Sequence, residues 1–265
     1  MFLSSRHAEI MKLAKAEGRV LVDELAARFA VTPQTIRKDL NDLCEQRLLN
    51  RIHGGALFPS GVENMEYESR RLIASDEKEA IGRAAARIIP NQASLFINIG
   101  TTTEAVGEAL LDHEGLMVIT NNINVANRLR VKRGIEVVIA GGVVRGTDGG
   151  IVGEAAVDFI RQFKVDFAVI GVSAIDGDGA LLDFDFREVK VAQAIMANAR
   201  HVILVSDSTK FERTAPVRIG HLRQVHTFIT DRCPSDAIRR VCAEAEVELV
   251  ETLQVSTEEA ERPAA

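Results

Sequence analysis

The chain has 265 residues, and its 46% hydrophobic and 26% charged residues are typical of a globular protein with a sizeable core. No apolar run approaches the ~20 residues that span a bilayer, and the opening MFLSSRHAEI lacks the apolar stretch of a signal peptide, so we expect a cytoplasmic protein. The three cysteines and six histidines show no paired or metal-ligand spacing. They predict reduced thiols, and we expect no metal and no cofactor.

The net charge of −6 is unevenly distributed along the chain. Counted over their acidic and basic side chains, residues 1–58 have a net charge of +2 and the remainder has −8. A small basic unit on an acidic body can still approach a polyanion locally. The asymmetry is compatible with nucleic-acid binding by the N-terminal unit, although a charge of +2 alone does not establish it.

Two helices are predicted before residue 30. Ser4 or Ser5 can cap the first, which runs to about Glu17, and Asp23 is expected to cap the second after a short extended piece. Each helix has an inward face of apolar residues with helical spacing. These inward residues are Ile10, Leu13 and Ala14 in the first helix, and Leu25, Ala26 and Phe29 in the second.

The stretch VTPQTIRKDLNDL predicts a third helix. Thr32 can cap it, and Pro33 suits the first helical position, where no amide donor is needed. Apolar residues at i, i+4 and i+7 form a buried stripe, which leaves a polar face that suits base edges and phosphates. The stripe consists of Ile36, Leu40 and Leu43, and the outward residues are Gln34, Thr35, Arg37, Lys38 and Asn41.

The next stretch, RLLNRIHGGALF, predicts a two-stranded wing behind the third helix. One strand covers about residues 48–52 and the other 56–58, with the reversal at residues 53–55. Basic side chains on the wing are expected to reach phosphates or the minor groove, and these are Arg47, Arg51 and His53.

A polar helix face is common, so the third helix alone does not decide between a solvated surface and DNA recognition. Three helices, a cap, a basic outward pair and a wing together favour a winged helix-turn-helix that binds operator DNA. The residues predicted to contact DNA are Thr32, Gln34, Thr35, Arg37, Lys38, Arg51 and His53.

The sequence VTPQTIRKDLNDLCEQRLLNRIHGGA resembles the winged helix of the deoxyribose-operon-repressor (DeoR) family of bacterial regulators. The resemblance covers about 50 residues, and TIRKDL followed by HGGA is its most specific part. Many relatives have Ser or Thr at the start of the second helix, whereas Leu21 and Val22 precede Asp23 in this chain. The resemblance implies a transcriptional repressor with a separate effector domain.

The remainder of the chain predicts a linker over 59–75, an α/β domain over 76–252 and a disordered tail over 253–265. Asp76, with Glu79 three residues later, resembles a capping arrangement at the first helix of this domain. Continuous apolar runs then alternate with helical stretches, which predicts a parallel sheet with helices on both faces. The six predicted strands are ASLFINI, LMVIT, EVVIA, FAVIGV, HVILVS and TFIT.

Polar segments follow five of these strands at the edge where open α/β sheets bind ligands. The first, GTTTEAV, combines a glycine and hydroxyl groups with the amide donors of a helix start, and therefore predicts a phosphate cradle. It lacks the Gly-Lys-Ser/Thr ending of a nucleotide loop, and G-x-G-x-x-G is also absent. A plain strand-to-helix turn explains GTTT equally well, but four further polar strand ends favour a ligand site.

The segment DFDFREVK brings Asp183, Asp185, Glu188 and Lys190 together in sequence. A carboxylate beside a lysine could move protons on a sugar phosphate, as an aldose–ketose isomerase does. Binding or surface charges are the alternative. Because acid-rich loops are common, we prefer binding to catalysis and predict no catalytic residues.

The second domain resembles the same family in FINIGTTTEAV, ITNNINVAN, AGGVVRGTDGGIVGEA, LLDFDFREVK and DSTKF. The resemblance implies a Rossmann-like fold similar to ribose-5-phosphate isomerase that acts as a sensor. It also implies glycerol 3-phosphate as inducer, target genes of glycerol use, and a homodimer or homotetramer on a two-fold operator. The implied effector contacts are Gly100, Thr101, Thr102, Thr103, Asn121, Gly141, Arg145, Asp183, Glu188, Lys190 and Lys210.

Overall fold

In a computed structural model, the chain forms two compact units, Met1–Glu63 and Asn64–Ala265. The residues that the structure describes are 5–17, 19–45, 48–52, 54–57 and 67–253. The predicted tail therefore lies outside the described residues apart from Leu253, and so do residues 59–66 of the predicted linker.

The N-terminal unit consists of three helices and a three-stranded antiparallel sheet. The helices are α1 (Ser5–Glu17), α2 (Val22–Phe29) and α3 (Pro33–Glu45). The strands are β1 (Arg19–Leu21), β2 (Asn50–Ile52) and β3 (Gly55–Leu57), in the order β1-β3-β2. A three-residue turn joins α2 to α3, and Ala30 enters it with a left-handed φ of +50°. This arrangement is a winged helix-turn-helix, as the sequence predicts.

The predicted apolar faces of the three helices form the core of this unit. Ile10 and Ala14 of α1 are fully buried, and Leu25 and Ala26 of α2 are buried against them. Leu13 and Phe29 are partly buried and pack on the same cluster. The helical spacing of the apolar residues was therefore sufficient to orient all three helices.

Two details of the N-terminal unit differ from the prediction. Helix α2 begins at Val22 after Leu21, whose side chain makes no capping hydrogen bond, so the predicted capping role of Asp23 is wrong. Strand β1 pairs with β3 from Arg19 opposite Leu57 to Leu21 opposite Gly55. The wing thus has a third strand, which the sequence presented only as a short extended piece.

Helix α4 (Tyr67–Leu72) opens the described part of the second unit and is followed by α5 (Ser75–Ile88). Ala74 precedes α5 in the left-handed conformation, with a φ of +52° and no side-chain cap. The prediction that Asp76 caps this helix is therefore wrong, because α5 begins one residue before it. Asp76 lies in the first turn, where its charge favours the helix dipole.

A seven-stranded parallel sheet forms the centre of the second unit, in the order β15-β14-β12-β9-β4-β5-β6. Its strands are β4 (Ser94–Ile97), β5 (Leu116–Thr120), β6 (Ile135–Ile139), β9 (Val165–Ile170), β12 (Ala199–Val205), β14 (Thr227–Thr230) and β15 (Glu248–Glu251). All six predicted strands occur, and the parallel sheet is confirmed. The last strand, β15, was missed because its sequence ELVE begins and ends with glutamate.

Helices cover both faces of the sheet. After α5 they are α6 (Thr101–Ala109), α7 (Ile123–Leu129), α8 (Glu154–Ile160), α9 (Phe186–Ala197) and α10 (Asp236–Glu244). Successive residues of β4 show the two faces, since Leu95 and Ile97 belong to the core with α5 and α6 while Phe96 belongs to the core with α8 and α9. Two apolar layers therefore hold the strand ends in fixed positions.

Short antiparallel strands lie beyond the main sheet. They are the pair β7 (Val143–Val144) and β8 (Ile151–Val152), and the group β10 (Ala174–Ile175), β11 (Ala180–Asp183) and β13 (Val217–His221). Strands of two to five residues carry little periodicity, so the sequence analysis did not resolve them. Across the described part of the chain, no helix combines the length and apolar character needed to cross a membrane.

Candidate functional site

The outward face of α3 is polar because the opposite face is closed by the core. Ile36, Leu40 and Leu43 have no exposed surface. The residues on the other side are exposed at Gln34, Arg37, Lys38 and Asn41, and half-buried at Thr35. This surface presents two cations and two amides, the groups that contact phosphates and base edges in a major groove.

The start of α3 is fixed by its predicted cap. The Thr35 amide donates to Thr32 Oγ1 at 3.2 Å, and the two hydroxyl oxygens lie 2.9 Å apart. Thr32 is exposed and Pro33 occupies the first helical position. The hydroxyl of Thr32 thus caps the N-terminal end of the helix, and Thr32 lies on the side that is predicted to face DNA.

A buried carboxylate ties α3 to α1. Asp39 accepts hydrogen bonds from Arg6 Nε at 2.6 Å and Arg6 Nη2 at 3.1 Å, and its Oδ1 lies 3.2 Å from His7 Nε2. Burial opposes the charged form, but the hydrogen bonds from Arg6 and His7 outweigh it and lower the pKa of Asp39. Asp39 follows Lys38 directly, so this network fixes the direction in which Lys38 points.

The wing carries one of the predicted basic residues within the described part of the chain. Arg51 on β2 is exposed, and its Nη1 donates to the Gly55 carbonyl at 3.2 Å across the hairpin. Gly54 turns the hairpin with a φ of +78°. The predicted contacts Arg47 and His53 lie outside the described residues.

A cavity of about 30 Å³ lies at the carboxyl ends of β4, β9 and β12. These three parallel strands are neighbours. The order in which strands are added to the sheet reverses between β4 and β9, because β5 and β6 lie on one side of β4 whereas β9 and β12 lie on the other. Open α/β sheets bind ligands at such a switch point. Six of the predicted effector contacts line the cavity: Gly100, Thr101, Thr102, Asp183, Glu188 and Lys210.

The start of α6 forms one wall of the cavity. Gly100 has a φ of +146°, which favours glycine, and precedes a nine-residue helix whose first residues, Thr101 and Thr102, line the cavity. Thr103 is turned away from it. Its hydroxyl lies 2.7 Å from the Asn98 carbonyl and 2.8 Å from the Gly100 carbonyl, so its proton serves the backbone. The cradle therefore offers the hydroxyls of Thr101 and Thr102 but not that of Thr103.

Three other predicted contacts are not brought to the cavity. Asn121 is fully buried beyond β5 and donates to the Ile151 carbonyl at 3.1 Å, and Gly141 is exposed beyond β6. Lys190 is exposed on α9 and pairs with Glu154 at 2.7 Å. Glu188 and Lys190 are two residues apart on the same helix and so point in opposite directions.

Arg145 is held by three carboxylates rather than pointing into the cavity. Its Nε and Nη2 donate to Asp148 at 2.9 and 2.7 Å. Nη2 also donates to Glu188 at 2.6 Å, and Nη1 donates to Asp185 at 3.2 Å. Arg145 thus neutralises the acid-rich loops behind the cavity and holds Glu188 in place.

Burial changes the charge of the cavity walls. It raises the pKa of Glu188 to about 8, with the charge of Asp183 acting in the same direction and Arg145 opposing it. Burial also raises the pKa of Asp183 and lowers the pKa of Lys210 to about 8. Below that pH the lysine is protonated while the carboxyls carry less charge than usual, and the cavity is therefore suited to an anion.

The sequence analysis missed Arg70, which lines the cavity from α4. Its Nη2 donates to Asp148 at 3.2 Å. Arg70 lies within a polar segment that was interpreted as a linker, and an arginine there gives no periodic signal. Ser173, which follows β9 and donates to Asp183 at 3.1 Å, was also not singled out.

A winged helix-turn-helix with a basic recognition face and an α/β unit with an anion-suited cavity define a DNA-binding regulator with a sensor domain. The chain belongs to the DeoR family. Residues 6–62 match the DeoR-like helix-turn-helix domain and residues 73–232 match the DeoR C terminal sensor domain.

Curated relatives cover nearly the whole chain. It is 48% identical over 246 residues to the glycerol-3-phosphate regulon repressor of Escherichia coli (strain K12), which is 93% of this chain and 98% of that protein. It is 49% identical over 235 residues to the protein of that name from Haemophilus influenzae, covering 89% and 92%. The transcriptional repressor CsqR of Escherichia coli is 40% identical, covering 92% and 94%.

Solved structures match with lower similarity. Ribose 5-phosphate isomerase from Plasmodium falciparum aligns with a TM-score of 0.38 and 13% identity, covering 51% of this chain and 52% of that chain. A probable sor operon regulator from Shigella flexneri aligns with a TM-score of 0.39 and 14% identity, covering 51% and 76%.

Proposed function

We propose that this chain represses genes of glycerol and glycerol 3-phosphate use, and that glycerol 3-phosphate in the sensor cavity releases it from its operator. It acts in the cytoplasm as a homodimer or homotetramer and catalyses no reaction. The observation that carries the proposal is the combination of 48% identity to a glycerol-3-phosphate regulon repressor with an anion-suited cavity at the sheet switch point.

The cavity supports a small phosphorylated effector. A phosphate can accept hydrogen bonds from the first amides of α6 and from the hydroxyls of Thr101 and Thr102. Lys210 supplies a buried positive charge, since its Nζ lies 3.9 Å from Asp207 Oδ2, farther than a hydrogen bond. The carboxyls of Asp183 and Glu188 are placed to accept from hydroxyl groups of the ligand, which favours a phosphorylated alcohol over inorganic phosphate.

The DNA-binding unit supports operator recognition through α3. Gln34 and Arg37 are suited to base edges, whereas Thr32, Thr35 and Lys38 are suited to phosphates. Arg51 and His53 are assigned to the wing. A two-fold operator with half-sites one or two helical turns apart matches a symmetric oligomer.

An isomerase role is not favoured, because the curated relatives that cover nearly the whole chain are named as repressors. Incubation with triose and pentose phosphates should therefore give no turnover. Measurable interconversion of these sugar phosphates would show that the protein is an enzyme instead.

The test of the proposal combines ligand binding with operator release. A thermal-shift screen of phosphorylated metabolites should show the largest increase in midpoint with glycerol 3-phosphate and no increase with glycerol. In an electrophoretic mobility shift titration, glycerol 3-phosphate should then dissociate the operator complex. Binding without any change in operator affinity would refute the proposed regulation, and a stronger response to another sugar phosphate would refute the proposed effector.

A further inference from the structure

We propose that Arg70 binds the phosphate of the effector, and that α4 thereby links occupation of the cavity to the chain segment that leads to the DNA-binding unit. This assignment rests on the proposed function. Arg70 lines the cavity together with Lys210, and neither the family match nor the sequence pattern assigns it a role.

The hydrogen bonds of Arg70 leave it available to a ligand. Among the described residues, its guanidinium donates only to Asp148, through a single bond of 3.2 Å from Nη2, and it also lies over the Tyr67 ring at 5.9 Å from the ring centre. Its Nε is buried and has no hydrogen-bond partner among the residues that the structure describes. A buried unpaired N–H is unfavourable, and a phosphate oxygen can accept from Nε and a terminal nitrogen together in the bidentate geometry that arginine favours.

Arg145, the arginine that the family resemblance implied, is less available. Four hydrogen bonds of 2.6 to 3.2 Å connect it to Asp148, Asp185 and Glu188. Moving it would leave the buried Glu188 without its cation and would remove one of the two arginines paired with Asp148 and with Asp185, which is unfavourable for partly buried carboxylates. Asp148, in contrast, keeps two bonds from Arg145 when Arg70 leaves. Arg70 can therefore exchange its carboxylate partner for a phosphate at the lower cost.

The volume of the cavity also indicates that Arg70 must move. About 30 Å³ is small for a ligand cavity, since a cavity that binds benzene measures about 150 Å³, and a phosphorylated three-carbon alcohol needs at least comparable room. The strand ends are fixed by two buried apolar layers. In helix α4, by contrast, Leu72 is 81% exposed, and the helix is attached by polar contacts. Helix α4 is therefore the part of the cavity wall that can move to admit the ligand.

Polar contacts attach α4 on both sides of Arg70. Tyr67 donates to Glu104 at 2.7 Å and accepts from Asn124 at 2.9 Å. The buried Lys78 donates to the carbonyls of Arg70 and Ile73, which caps the end of the helix from α5. A ligand that pulls on Arg70 therefore acts on the position of α4 as a whole, and residues 58–66 connect α4 to β3 of the DNA-binding unit.

Binding of glycerol 3-phosphate to the full chain and to two matched variants tests the assignment. Arg70→Gln should weaken binding by about tenfold or more, because a hydrogen-bonded charged contact is lost. Arg71→Gln removes the same charge from the next residue of α4, which does not line the cavity, and should change the affinity less than about twofold. Thermal unfolding establishes that both variants are folded. If Arg70→Gln does not fold, binding is measured with Arg70→Lys instead.

Hydrogen–deuterium exchange of the wild-type chain provides a second measurement that needs no variant. Saturating glycerol 3-phosphate should change exchange at the amides of residues 68–73. Unaltered exchange there, or tight binding by Arg70→Gln, would overturn the role of Arg70 while leaving the proposed effector standing. Failure of the wild-type chain to bind glycerol 3-phosphate would overturn the proposed effector and this assignment with it.

Discussion

Lys38→Ala tests whether the outward face of α3 lies against the DNA backbone. Lys38 is exposed, and the core side chains Ile36 and Leu40 are on the opposite face, so its removal deletes one phosphate contact and leaves the fold intact. Each such contact contributes about 0.9 to the slope of log affinity against log salt. Between about 50 and 200 mM salt, one contact therefore accounts for roughly a 3.5-fold loss of affinity.

Two DNA-binding units on a symmetric operator double this effect. The slope should then decrease by about 1.8, and the salt-dependent loss should shrink by roughly twelvefold over the same range. Fluorescence anisotropy of labelled operator across a salt series measures the slope directly. Lys12→Ala is the matched control, because Lys12 is an exposed lysine on α1. Equal slopes for Lys38→Ala and wild type, or an equal decrease for Lys12→Ala, would refute the orientation of α3 on DNA.

Three further predictions concern stability and pH. Gly82→Ala should destabilise the second unit by about 1–3 kcal/mol, because a Cβ there would lie 2.5 Å from the Ala105 carbonyl oxygen. Gly107→Ala should instead stabilise it by about 0.5–1 kcal/mol, because a Cβ at Gly107 would make only ordinary contacts. Thermal unfolding measures both changes. Affinity for glycerol 3-phosphate, measured calorimetrically, should fall as the pH rises through about 8, where Lys210 loses its proton and Glu188 gains its negative charge. Lys210→Arg should reduce that fall in part, because arginine stays charged. Because the pKa of Asp39 is lowered in the folded protein, its charged form stabilises the fold at pH values above the ordinary aspartate pKa of 3.8. The loss of unfolding free energy in Asp39→Asn should therefore become smaller as the pH falls below 3.8.

Helical periodicity in the sequence was sufficient to predict the buried faces of the helices in the DNA-binding unit. A stripe at i, i+4 and i+7 in α3 predicted which three residues are buried, and therefore which side chains remain outside. The start of α2 was not predicted, because Asp23 has the residue type of a cap while the helix begins one residue earlier.

The candidate effector site was predictable only in part. Polar segments after apolar strands identified the correct sheet edge, and the sheet order then selected the strands beside the switch point. Asn121 and Gly141 follow strands farther from it, which the sequence does not reveal. Lys190 was included because the family resemblance implied it, but α9 places it two residues after Glu188 and therefore on the opposite side of the helix.

The arginines show why a site cannot be completed from sequence alone. Arg145 follows a strand and has the residue type of a phosphate ligand, yet carboxylates from its own loop and from one distant segment occupy its donors. Arg70 is in a polar segment without periodicity, and only the fold brings it to the cavity. Which cation is available depends on how many partners each has acquired, and those partners come from residues far apart in the chain.

The proposed contact between Arg70 and phosphate also sets a limit on how the regulator can switch. Moving an equilibrium from almost fully bound to almost fully released requires a differential affinity of about 10⁴-fold between the two states. One charged hydrogen-bonded contact contributes roughly a 10–150-fold difference in affinity. A single chain in which only one state has the Arg70 contact therefore falls well short of the required difference. Two chains that switch together multiply their contributions and reach the required range near the upper end of that estimate. If Arg70 is the only contact that differs between the two states, control by one small phosphate needs at least two coupled sensor units, as the proposed homodimer or homotetramer would provide.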